Sequence, residues 1–173
     1  AKGWIPQNAQ LTPRPASMAS WDSIPEAERP FQRRLMEVFA GFTEHADANA
    51  GKVIDKSERQ GRLDNTLIFY IWGDNGSSSE GLYGTISEQL AQNGIPTKIS
   101  QHIDALNEFG GLDALGGPKT DNMYHAAWAW AGSTPYQGTK LQGSYFGGIR
   151  QPMAVAWPKR IKADATARPQ FHH

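Results

Sequence analysis

The chain has 173 residues, 39% apolar and 20% charged, a composition that suits one folded domain and excludes wholesale disorder. Lys+Arg and Asp+Glu stand at 17 each without a long like-charge run, which argues against nucleic-acid or membrane-surface binding driven by net charge. No apolar stretch approaches the roughly 20 residues that span a bilayer, and the absence of cysteine removes disulfides, thiolate metal sites and an unmodified cysteine nucleophile.

The N-terminal AKGWIPQNAQ starts without Met and has neither a basic n-region nor an apolar h-region, so no signal peptide is visible. Residues 1–25 carry Pro6, Pro13, Pro15 and Pro25 and read as an extended approach. Ser23 stands three residues before Glu26, a plausible capping box for a helix. From about Glu26 to Gln60, Phe31, Leu35, Val38, Phe39, Phe42, Ala46, Ala50, Val53 and Ile54 recur at steps of three or four. That spacing predicts one apolar stripe on a long helix, with Pro30 in its first turn and Gly61 as its stop. Gly41 and Gly51 lower helicity locally and mark a bend or a tight packing point.

The run Leu67-Ile68-Phe69-Tyr70-Ile71-Trp72 follows, and six consecutive apolar or aromatic residues predict a strand buried on both faces. Residues 73–96 are rich in Gly and Ser and read as loop. Thr97 to Phe109 is weakly helical, with Ile99, Ile103 and Leu106 on one face. Gly110-Gly111 and Gly116-Gly117-Pro118 break the chain, and His125 to Ala131 is a short Ala/Trp helix. A further short helix is expected from Thr134-Pro135 through Lys140. Gly147-Gly148 is expected to turn the chain into a second strand, Pro152 to Trp157. A long amphipathic helix feeding a continuous apolar strand gives an α/β layer, and ligands in such layers bind beyond the carboxyl ends of the strands.

Asp74 and Asn75 lie at that end. Asp-Asn-Gly on its own is most often a turn. Following an apolar strand, it also presents a carboxylate and a carboxamide, two hard oxygen donors suited to Ca²⁺ or Mg²⁺. Two donors leave a calcium shell of about 6–8 oxygens incomplete. Lys140, in TPYQGTK, is by base rate a solvated lysine, and near a bound anion it would neutralise charge developing on an ester oxygen. None of the five histidines forms a close H-x-x-x-H pair, so any metal is expected on oxygen. His125 is expected to pack or hydrogen-bond. His172 and His173 stay open between ligation, packing and a tag remnant, and Trp128 and Trp130 are expected to pack.

At these residues the sequence resembles a known family. FAGFTEHADANAGKVIDKSERQGRLDNTLIFYIWGDNG is similar to the segment of sulfatases in which a helix precedes the strand bearing a metal-binding Asp-Asn pair. TPYQGTK followed by SYFGGIRQPMAVAWP is similar to the family's lysine-bearing turn and next strand, and QFHH resembles the start of a further family segment. The likeness is nearest to bacterial arylsulfatases of the alkaline phosphatase superfamily and runs from about residue 11 onward.

The resemblance implies an α/β fold, part of an alkaline-phosphatase-like mixed sheet flanked by helices, with residues 1–173 forming an incomplete catalytic domain. It implies a calcium-dependent sulfuric ester hydrolase acting on a small-molecule sulfate ester through formylglycine, made from the Cys or Ser of a C/S-x-P-x-R motif. Calcium would be held by two aspartates from an earlier segment plus the pair Asp74 and Asn75, with Lys140 contacting the sulfate. Nothing in the chain completes C/S-x-P-x-R, since Ser23-Ile24-Pro25 lacks the closing Arg, and the paired aspartates have no counterpart before Asp74. The nucleophile is therefore expected upstream of Ala1, and the isolated chain is expected to be inactive and to expose an unpaired sheet edge. A phosphonate or phosphate monoester hydrolase of the same superfamily and a non-catalytic scaffold or binding domain are the alternatives. Periplasmic and cytoplasmic placement both stay open, as does the oligomeric state.

Overall fold

A computed structural model describes residues 7–73, 75–166 and 168. Residues 7–20 contain no helix or strand, as the prolines predict. The expected capping box does not form. Ser23 Oγ instead donates to Ser20 O at 2.8 Å, and Pro25, extended at φ −52° and ψ 137°, separates that turn from the helix. Helix α1 runs Arg29–Arg59, close to the predicted span, and measures roughly 45 Å at 1.5 Å per residue.

Only the first turns of the α1 stripe are buried. Phe31 and Leu35 pack with Leu106 and Leu115 in the core, with Val38, Ile86, Ile99, Ile103 and Leu112 around them. Farther along, Phe42 and Val53 are 68% and 69% exposed. Gly41 and Gly51 are not packing points, because a Cβ on either would meet nothing within 4 Å. The chain leaves the helix at Gly61, whose N–H bonds Glu58 O.

Strand β1, Ile68–Ile71, pairs antiparallel with β2, Met153–Ala156, placing Ile68 opposite Ala156 and Ile71 opposite Met153. Trp72 N–H to Pro152 O at 3.1 Å extends the ladder at one end, and Lys159 N–H to Asp64 O at 2.8 Å closes the other. Both predicted strands exist, but burial on both faces does not. Ile68 and Tyr70 are partly covered, and Tyr70 Oη bonds Asp47 of α1 at 2.6 Å; Phe69 and Ile71 are 58% and 57% exposed. A two-stranded ribbon with α1 on one side covers one face only, so the continuous apolar run alternates in burial.

Between the strands lie α2, Glu88–Gln92; α3, Ile99–Phe109; α4, Ala126–Ser133; and α5, Phe146–Ile149. Helix α3 brings Leu106 and His102 against α1, where the His102 ring stacks on Phe31 at 6.3 Å, and Gly110 at φ +115° ends it. Isolated bridges join Thr85 to Met123 and Ser87 to Asp121. Helix α4 docks on α1 through Trp128 Nε1 to Gln32 O at 3.2 Å, and Trp128 lies 5.9 Å from Trp21, the packing role expected of it.

Two expectations in this region fail. Residues 134–140 form turns instead of a helix, since Thr134 sits at φ −55° and ψ 136°, outside the helical region disfavoured before proline. Gly147-Gly148 lies within α5 rather than in a turn. Among the described residues no helix is long and apolar enough to cross a membrane.

Candidate functional site

The loop after β1 returns toward the turn that carries Lys140. Gly76 takes φ +94°, and a Cβ there would fall 2.3 Å from Gly147 O and 3.0 Å from Lys140 N, so only glycine lets these three backbone segments meet. One residue later, Ser77 O accepts the Lys140 N–H at 2.9 Å. Asn75, directly before Gly76, is exposed. Asp74 lies outside the described residues, as do His172 and His173. The structure thus brings the loop bearing Asn75 beside the turn bearing Lys140, although the two are far apart in sequence.

Helix α5 forms the floor of this junction. Gly147 N–H donates to Gln137 O at 2.8 Å, and Ser133 Oγ of α4 donates to Gly147 O at 3.4 Å. A Cβ on Gly147 would stand 2.1 Å from Gly138 O and 2.5 Å from Gln137 O, both backbone atoms unable to swing aside. The Gly147-Gly148 pair is there for close approach.

Side chains reinforce the junction. Lys140 Nζ donates to Glu80 Oε2 at 2.5 Å, with the two side chains 29% and 23% exposed and 60 residues apart in the chain. Ser78 Oγ donates to the same Glu80 oxygen at 2.7 Å, and the buried Thr139 bonds Ser79 Oγ at 3.1 Å. The Lys140 hydrogen bond first, and the Ser78 bond after it, hold the Glu80 carboxyl below the usual carboxylate range. An ammonium has three donors, so Glu80 leaves Lys140 able to reach a further acceptor.

Glu80 was not a sequence candidate. It follows Ser77-Ser78-Ser79 in a loop, and no local spacing links it to a lysine beyond the intervening helices α2, α3 and α4. His125 acts as the N-cap of α4, its Nδ1 accepting the Ala127 N–H at 3.0 Å, and burial pushes its imidazole below the ordinary histidine range. That is the hydrogen-bonding role expected of it.

The donor chemistry of Asn75 suits a hard cation, and it supplies one oxygen. Among the described residues no group of three or more His, Cys, Asp or Glu side chains is placed to hold a metal. A cavity of about 700 Å³ lies between α1 and residues 116–124, lined by Leu35, Val38, Phe39, His45, Glu88 and Asp121 among others. Ser78 reaches it, whereas Asn75 and Lys140 do not line it.

A family model described as Sulfatase matches residues 7–173. An uncharacterised sulfatase of Schizosaccharomyces pombe is 30% identical over 167 residues, covering 94% of this chain and 27% of that protein. The chain therefore spans about a quarter of the length of the curated relative it matches.

Proposed function

Because this chain belongs to the sulfatase family and holds part of its alkaline-phosphatase-like α/β fold, we propose that it supplies one wall of a sulfuric ester hydrolase site completed by other parts of a longer protein. The observation that carries this reading is the clip between Lys140 N–H and Ser77 O, with Gly76 wedged against Lys140. It sets the loop of Asn75 beside the lysine, an approach that one anionic ester contacting both would need.

In this reading Lys140 binds a sulfate oxygen, and its positive charge offsets the negative charge that grows as the ester bond breaks. Asp74 and Asn75 would hold a calcium ion together with carboxylates from elsewhere in the protein, since two donors do not fill its shell. That ion, when bound, would polarise the sulfate oxygens. The nucleophile, a formylglycine by family resemblance, has no source in residues 1–173, which contain neither cysteine nor a C/S-x-P-x-R motif. The exposed face of Phe69 and Ile71 supports placing further protein against β1, because a strand this apolar is suited to burial.

The test is hydrolysis of matched aryl sulfate and aryl phosphate esters by the intact protein carrying this chain, with and without a calcium chelator. Faster turnover of the sulfate, lost on chelation, is expected. Phosphate turnover exceeding sulfate would favour a phosphate monoester hydrolase of the same superfamily, and no turnover of either would favour a scaffold.

A further inference from the structure

Resting on that reading, we propose that Glu80 is the positioning residue for Lys140, holding its ammonium at the place where the sulfate ester must arrive. Lysine carries its charge on a flexible four-carbon stem, so a lysine that must meet one ester oxygen benefits from an anchor. Glu80 is built as that anchor. Its Oε2 lies 2.5 Å from Lys140 Nζ and also accepts from Ser78 Oγ at 2.7 Å, so the carboxylate is itself held.

The anchoring is not confined to the ion pair. Ser77 O takes the Lys140 backbone N–H at 2.9 Å, and Ser79 Oγ takes the hydroxyl of Thr139 at 3.1 Å. Ser77, Ser79 and Glu80 therefore grip Thr139 and Lys140 through backbone, hydroxyl and carboxylate in turn, and Ser78 braces Glu80. The same segment follows Asn75 and Gly76 directly, so the anchor of the lysine and the loop of the proposed cation site are one piece of chain. Glu80 uses one of the three ammonium donors and leaves two for an anionic substrate.

A displacement of about 1 Å in a catalytic group costs on the order of 10²-fold in rate, which sets the size of the effect. The experiment is a double-mutant cycle on kcat and KM for an aryl sulfate, using the intact protein with Glu80→Ala, Glu80→Gln, Lys140→Ala and the Glu80→Ala/Lys140→Ala pair. Glu80→Ala is expected to lower kcat by about 10²-fold, and Glu80→Gln, which keeps an acceptor oxygen at the same reach, to recover part of that loss. In the Lys140→Ala background the further change to Glu80→Ala is expected to do nothing more, since the residue it positions is gone. Glu80→Gln has the same shape as the native side chain and carries the test if Glu80→Ala misfolds.

An active wild type whose Glu80 variants match it, or a Glu80 loss that persists undiminished without Lys140, would overturn the positioning role alone. A wild type that hydrolyses no sulfate ester would overturn the proposed function, and the Glu80 assignment with it.

Discussion

In the helical half, Phe31 and Leu35 of α1 meet Leu106 and Leu115 in a small apolar core. Around Lys140 the buried positions of residues 138–148 are Gly138, Thr139, Gly147 and Gly148, with no large apolar side chain among them. The first region is fixed by area removed from water, which is non-directional and tolerates some repacking. The second is fixed by backbone contacts too close for a Cβ and by hydrogen bonds with defined partners. The Lys140–Glu80 ion pair sits in the region held by the directional kind.

The contrast can be broken by mutation. Leu35→Ala is expected to cost about 2–5 kcal/mol, the usual price of a fully buried leucine. Amide exchange should speed mainly in α1 and α3, and equal loosening at residues 138–148 would show that the two regions are not separable. Gly147→Ala is expected to cost about 1–3 kcal/mol through overpacking, because its Cβ would collide with two backbone oxygens. Here the loss should appear first in exchange around 133–148 and in sulfate ester turnover, with α3 unchanged.

Acid should separate the regions again. Burial holds the His102 imidazole, paired with Thr97 Oγ1 at 2.8 Å, below its ordinary range. The unfolded chain therefore takes up that proton first, so the stability at stake is full above about pH 6.5 and declines as pH falls toward the folded value. Glu80 is also depressed, by Lys140 and then Ser78. Its contribution is present above about pH 4.3 and is lost only as pH falls through its lower folded value. Exchange measured against pH is expected to show α1, α3 and the His125-capped start of α4 loosening in the upper window and residues 77–80 in the lower. Loosening of both regions in a single step would contradict this order.

The same contrast explains what the sequence revealed. Periodic burial made α1 and α3 legible within a few residues, and apolar runs placed β1 and β2. The exposure of Phe69 and Ile71 was not legible, because a run of apolar residues records suitability for burial and says nothing of what lies opposite. The expected helix at 134–140 fails because the residue before Pro135 prefers the extended region, where Thr134 sits at φ −55° and ψ 136°. Asn75 and Lys140 stood out through composition and family resemblance, yet their proximity depends on Gly76 and Gly147, which read locally as ordinary turn glycines. Glu80 was invisible because its partner is 60 residues away.

The most direct measurement is kcat/KM for an aryl sulfate with the intact protein, wild type against Lys140→Ala. Loss of a preorganised charge facing the reacting group is expected to lower turnover by about 10²–10³-fold while the fold, read by amide exchange in α1 and α3, stays as in the wild type. Activity within about twofold of wild type, far from the 10²-fold scale of a lost charge contact, would show that Lys140 does not face the ester and that the junction it anchors is not the site.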